Sequence, residues 1–201
     1  ALAQSLNIPA VKVLSDLAGL NDSIKNAQKF GITTLNNPSK YGLSIVLGGA
    51  EVKLLDMVSA YGVFATEGLK NQPISILKIE DKQGNIIEEN KNIPKRVIDA
   101  QPVRILNSIL SDNEARAPIF GYESPMYFKD YQVAAKTGTT QDYKDGWIIG
   151  YTPSIVVGVW VGNNDNTPIK KEPGIKVAGP IWRSFLDVIL PKLPKETFKN
   201  P

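Results

Sequence analysis

The stretch Ala134-Ala135-Lys136-Thr137-Gly138-Thr139-Thr140, AAKTGTT, sets a cation, a hydroxyl, a glycine and two more hydroxyls in succession at the end of an apolar run. Two further apolar stretches follow it, GWIIGY from Gly146 and SIVVGVWVGN from Ser154. Short runs rich in β-branched and aromatic residues, joined by short connectors, read as antiparallel neighbours. Side chains alternate along a strand, so Lys136 and Gly138 share one face while Thr137 and Thr139 share the other. Such an edge can pair with an extended peptide, and the glycine lets that peptide come close. The lysine and hydroxyls suit a carboxylate, and an unclaimed backbone N–H suits an oxyanion. A bare KTG is equally a strand that ends in a polar turn. It is not a phosphate loop, because the glycines that should precede the lysine are missing.

Working outward, AGPIWRSFLDVIL reads as a closing helix with Pro180 in its first turn. Upstream, Asp99 suits the cap of a helix over AQPVRILNSILSD, and PISILKIEDKQGNIIEEN alternates around Gly84 as a hairpin. EVKLLDMVSAYGVFATEG carries Leu54, Leu55, Val58, Tyr61 and Phe64 at helical spacing and stops at Gly68. NNPSKYGLSIVLGGAEV is turn-rich. A helix capped by Asn21 or Asp22 ends at Phe30 and Gly31, and another runs from about Ala10 to Leu17 behind Pro9. Helices, a hairpin, a helix, three strands and a final helix imply an α+β fold in which helices pack an antiparallel sheet.

The 201 residues are 42% hydrophobic and 21% charged, enough for one domain with a substantial core. The net charge of +3 is spread among acids, so no nucleic-acid stripe is implied. The apolar runs are too short to cross a bilayer, and no signal peptide is visible. There is no cysteine and no histidine. Nucleophilic catalysis would therefore need a serine or threonine worked by lysine or a carboxylate. The chain opens on ALAQSL rather than methionine, which reads as a piece of a longer protein.

A second candidate for chemistry is QSLNIPAVK. Ser5 and Asn7 sit just ahead of the helix that Pro9 starts, where both could point into a cleft. Helix capping explains the same residues at least as well.

Taken together, ALAQSLNIPAVK, LGGAEVKLLDMVSAYGVFATEG, VAAKTGTTQDYKDGWIIGYTPSIVVGVWVGNND and AGPIWRSFL resemble the transpeptidase domain of penicillin-binding proteins. The likeness is to the bifunctional class A type that also carries a glycosyltransferase. That family works with S-x-x-K, S-x-N and K-T-G elements around one acyl-transfer site. The S-x-N role matches Ser5-Leu6-Asn7, although Ser111-Asp112-Asn113 spells S-D-N more literally. No PAV-type continuation follows Ser111, so it stands as a decoy. Ser75-Ile76-Leu77-Lys78 matches S-x-x-K in letters, but it lies in the alternating hairpin after Ser5, where positions three apart point to opposite faces. The family's nucleophilic serine is therefore expected N-terminal to Ala1. VKLLDM stands where the family more often has proline and glutamate, a surface detail.

The resemblance implies a β-lactamase/transpeptidase-like fold with an α-rich lobe, residues 1–201 forming the C-terminal part of one domain. It implies that Ser5 relays a proton, Asn7 holds the substrate amide and Lys136 supplies a positive field. Thr137 and Thr139 would bind a terminal carboxylate, Gly138 would admit the substrate backbone, and the Thr139 N–H would be half of an oxyanion hole. The implied partners are peptidoglycan stem peptides and β-lactam antibiotics, with no cofactor and no metal. The implied location is the extracytoplasmic face of the bacterial membrane, reached only through the part N-terminal to this chain. A D,D-carboxypeptidase or β-lactamase-like hydrolase, or a non-enzymatic cell-wall or antibiotic sensor, would share the fold.

Overall fold

The computed structural model describes residues 1–169 and 171–201. Helix α1 (Asn7–Lys12) carries Pro9 in its first turn and runs into a wider π turn, Val13–Ala18, which Gly19 ends at φ 73°. Gly19 also caps α2 (Leu20–Phe30), so neither Asn21 nor Asp22 is the cap that spacing suggests. Gly31, at φ 120°, closes α2 by donating its N–H to Ala27 and Gln28. Two 3-10 turns (Pro38–Lys40 and Leu43–Leu47) fill the turn-rich segment before α3 (Leu54–Ala65).

α3 does not bury the single stripe that its spacing suggests. Leu55 is exposed, whereas Ala60, Val63 and Ala65 are buried. The helix is apolar on several sides because it lies between two layers. One flank meets Ile24, Ile32 and Leu35 through Ala60 and Met57; the other meets the sheet through Tyr61 and Phe64.

Strand β1 (Leu69–Lys70) pairs with β4 (Lys95–Arg96), and between them β2 (Lys78–Glu80) and β3 (Ile86–Glu89) form the expected hairpin around Gly84. Ser75 lies in a bend before β2, so strand alternation does not reach it. Lys78 instead pairs with Glu80 at 2.7 Å. Helix α4 (Ala100–Ser111) begins at Asp99, whose side chain makes no capping bond. A further helix, α5 (Asn113–Phe120), follows at once despite Pro118.

Strands β5 (Ala134–Thr139), β6 (Asp145–Tyr151) and β7 (Val156–Gly162) form an antiparallel sheet in that order. Short α6 (Gly174–Val177) and α7 (Gly179–Ile189) cover one face, where Trp182 is 0% exposed among Ala135, Ile148, Leu186 and Leu190. Gly150 makes that possible, since a Cβ there would stand 2.3 Å from the Trp182 ring. The opposite face packs Ala134 and Tyr151 against Ala65 and Leu110, and Tyr151 donates to buried Asn107 at 2.7 Å. Helices on both faces of an antiparallel sheet give an α+β molecule, as the element order implies.

Candidate active site

β5 is the outermost strand of its sheet among the described residues. Thr140 donates its N–H to Asp145 at 3.3 Å, which fixes the phase of the ladder. Antiparallel pairs alternate, so Lys136 and Gly138 turn their backbone groups to β6. Thr137 and Thr139 therefore turn N–H and C=O to the open edge. Thr137 stands opposite Ile148 and Thr139 opposite Gly146, while Lys136 stands opposite Ile149. Opposed residues share a face. The two threonines thus lie on the α7 face and Lys136 on the α3 face, where a Cβ on Gly158, opposite Ile149, would meet Val58.

Lys136 Nζ donates to Ser5 Oγ at 2.6 Å and to the Thr137 carbonyl at 2.8 Å. Burial pushes this ammonium down to about 8 from its ordinary 10.5, because the charged form has lost water. Ser5 is exposed and sits in the left-handed region at φ 59°, in a turn where it donates its N–H to Leu2 and Leu6 donates to Ala1. For a residue with a side chain that conformation costs on the order of 1 kcal/mol. Leu6 occupies the cap position of α1, and no side chain caps that helix. The hydroxyl of Ser5 is committed to Lys136 instead. Asn7 opens α1 as an exposed residue.

The Thr139 hydroxyl accepts the Gly174 N–H at 2.8 Å. A hydroxyl has one proton and two lone pairs, so this bond leaves its own proton to donate. Gly138 is closely fitted in the sheet, because a Cβ there would stand 3.3 Å from Trp147 Cβ. Asp145 locks the end of the strand: its Oδ1 accepts from Thr140 Oγ1 at 2.9 Å and from Trp147 Nε1 at 3.1 Å. The loop glycine Gly48 comes near the same place, its built Cβ lying 3.8 Å from Thr140 Cγ2.

The arrangement can hold an extended peptide along β5, offer a desolvated cation to a serine hydroxyl, and present hydroxyl donors and a backbone N–H to negative charge. Gly174 and Asp145 had no signal in the spacing of functional residues. Asp145, two positions before a tryptophan, could have been suspected as its indole partner. Gly174 could not, since its contribution is a backbone N–H.

Ser111-Asp112-Asn113 does other work. Asp112 caps α5 by accepting the Ala115 N–H at 2.9 Å. Ser111 Oγ accepts from Gln132 at 3.2 Å, and Asn113 donates to the Tyr122 carbonyl at 3.1 Å.

The family model described as the penicillin binding protein transpeptidase domain matches residues 5–187. Penicillin-binding protein 1A of Aquifex aeolicus is 36% identical over all of this chain and 27% of its own length. Penicillin-binding protein 2a of Streptococcus pneumoniae is 35% identical over 98% of this chain and 27% of its own. The chain thus spans about a quarter of these relatives. Among solved structures, penicillin-binding protein PonA1 from Mycobacterium tuberculosis superposes over 100% of this chain and 57% of its own, with TM-score 0.87 and 28% identity. The same protein in complex with penicillin V gives a TM-score of 0.85 at 26% identity, over 100% of this chain and 58% of its own. The chain belongs to the transpeptidase domain family of class A penicillin-binding proteins.

Proposed function

We propose that residues 1–201 are the C-terminal part of one transpeptidase domain and that the whole domain cross-links peptidoglycan by acyl transfer through serine. The observation that carries this reading is the 2.6 Å contact between Lys136 Nζ and Ser5 Oγ beside the open edge of β5. A stem peptide ending in D-Ala-D-Ala lies along that edge. The nucleophilic serine, on an S-x-x-K element N-terminal to residue 1, attacks the penultimate D-Ala carbonyl and forms a tetrahedral oxyanion. Collapse breaks the C–N bond, an ester to serine forms, and the terminal D-Ala leaves with a proton relayed by Ser5. An amine of a neighbouring strand then attacks the ester and releases the serine.

Lys136 acts through its field, lowering the cost of removing the Ser5 proton. The Thr139 N–H, turned to the open edge, stabilises the oxyanion together with the N–H of the nucleophile. Thr137 and Thr139 hydroxyls bind the terminal carboxylate, Asn7 holds the substrate amide and Gly138 lets the peptide lie flat. β-Lactams, whose carbonyl and carboxylate mimic the same ends, acylate the same serine. The catalytic face lies outside the cytoplasmic membrane, where stem peptides are found.

The test is intact mass and peptide mapping after the full-length protein and residues 1–201 alone meet excess fluorescent penicillin. A stoichiometric adduct on the full-length protein, at a serine outside this chain, is expected; residues 1–201 alone stay unlabelled. An adduct on Ser5 or Ser75 would overturn the assignment. Product analysis with a stem peptide and an amine acceptor separates the remaining readings: cross-linked product for a transpeptidase, free acid for a hydrolase, no turnover for a sensor.

A further inference from the structure

We infer that Gly174 is a positioning residue: its backbone N–H fixes the hydroxyl of Thr139 so that the hydroxyl proton is aimed at the carboxylate of the bound peptide. The inference rests on the reading of Thr139 as a carboxylate donor and adds what orients it.

Thr139 is an exposed residue at the end of an outer strand, a place where a hydroxyl rotor is ordinarily free. Here its oxygen accepts the Gly174 N–H at 2.8 Å. That bond takes one lone pair and leaves the proton for a second partner. The donor itself is held firmly. A Cβ on Gly174 would stand 2.1 Å from the Gly138 carbonyl oxygen and 3.1 Å from both N and O of Trp147, so the bare backbone of α6 rests on the β5–β6 pair. Gly146 completes the fit from the other strand, since a Cβ there would stand 2.8 Å from Gly174 Cα and 2.5 Å from Val177. Behind Gly174, Ala178 donates to the Gly174 carbonyl at 2.8 Å, and Ala178 and Trp182 are 0% exposed in the core. The packed core thus reaches one side chain of the proposed site through a single N–H. A pre-oriented hydroxyl donates without first losing rotor freedom, which is how supporting bonds raise the rate of a reaction they do not touch.

Gly174→Ala would force its Cβ into the Gly138 carbonyl and could simply misfold, so the decisive variant exchanges the N–H for an oxygen and adds no Cβ. Replacing Gly174 by glycolic acid through nonsense suppression turns the Pro173–Gly174 amide into an ester. In the full-length protein, the second-order acylation rate is measured with penicillin and with its methyl ester, which lacks the carboxylate charge, alongside melting temperature. Thr139→Val should cut the acid-to-ester preference about 10-fold or more, the scale of a hydrogen bond to a charge. The ester variant should cut it ~3–10-fold, with a small fall in melting temperature because the Pro173 carbonyl that accepts from Lys176 and Val177 becomes a weaker acceptor. That fall should be the same in the Thr139→Val background, whereas the preference should be cut no further there. A wild-type preference in the ester variant, with Thr139→Val impaired, would overturn the inference alone. A wild-type preference in Thr139→Val would overturn the carboxylate reading and the inference with it. Equal ester-variant losses of preference with and without Thr139 would mark Gly174 as a structural contact only.

Discussion

Two Ser-x-Asn tripeptides stand in this chain, Ser5-Leu6-Asn7 and Ser111-Asp112-Asn113, and they have opposite fates. The second is the more literal S-D-N, and its bonds build the fold: Asp112 caps α5, Ser111 receives Gln132 and Asn113 holds the Tyr122 carbonyl. The first lies in a turn with Ser5 at φ 59°, and the hydroxyl of that serine meets a lysine 131 positions away. A tripeptide that satisfies its neighbours is structure. One held in a costly conformation against a desolvated cation is the one proposed for the relay.

The largest effect should come from removing that cation. Lys136→Ala in the full-length protein should slow acylation by penicillin ~10²–10³-fold, the usual consequence of losing one preorganised electrostatic donor. Its melting temperature at pH 7 should not fall, because a lysine whose ammonium is disfavoured by burial costs folding energy while charged. Parallel losses of acylation and melting temperature would make Lys136 a structural lysine. Ser5→Ala should follow with ~10–10²-fold slower acylation, the scale of a lost proton relay. An unimpaired Ser5→Ala would dissolve the contrast between the two tripeptides.

pH supplies the next test. The Lys136 ammonium titrates near 8, below its ordinary 10.5. If its field is what counts, acylation falls as pH rises above 8, approaching tenfold per unit where the lysine is mostly neutral. Between 8 and 10.5 the unfolded chain binds more protons at this site than the folded one. Stability contributed by this site therefore rises with pH across that window, and the cost of burying the charge is fully present below it. Activity and stability should move in opposite directions there, and Lys136→Ala should flatten the site's share of both. Acylation that climbs through pH 8 would instead assign Lys136 the role of a base.

α3 was legible from its helical spacing, α4 and α7 from Asp99 and Pro180 at their starts, and the β5–β7 sheet from β-branched and aromatic runs joined by short connectors. The pairing of β1 with β4 was not, since Leu69–Lys70 and Lys95–Arg96 are too short to show any period. α5 was hidden by Pro118 and by taking Asp112 as part of a helix end rather than as the cap of the next helix. The cap of α2 was misassigned, and Asp99 takes the cap position of α4 without a capping bond, because cap preference ranks residue types, whereas the chain path decides which residue is placed to cap and where its side chain goes. In the site, Lys136 and the threonines were readable from one local stretch. The partnership of Lys136 with Ser5 required the family likeness, and Gly174 could not be read at all, because a backbone donor leaves no letter in the sequence.

The smallest effects belong to the second tripeptide, and they complete the contrast. Asp112→Ala removes a side-chain cap and should cost about 1 kcal/mol of stability with acylation unchanged. Ser111→Ala should cost less. The bond that Ser111 accepts is long, at 3.2 Å, and its donor Gln132 is anchored independently, because its Oε1 accepts the Phe198 N–H at 2.9 Å. Loss of one such neutral bond on a partly exposed residue is worth roughly 0.5 kcal/mol. Denaturant midpoints for the two variants, read beside the acylation rate of Ser5→Ala, give the ordering directly. Ser111→Ala with full stability loss but normal acylation would only enlarge its structural share. Ser111→Ala with acylation slowed as much as Ser5→Ala would move the S-x-N role to residues 111–113 and leave the 2.6 Å contact of Lys136 with Ser5 without the relay proposed for it.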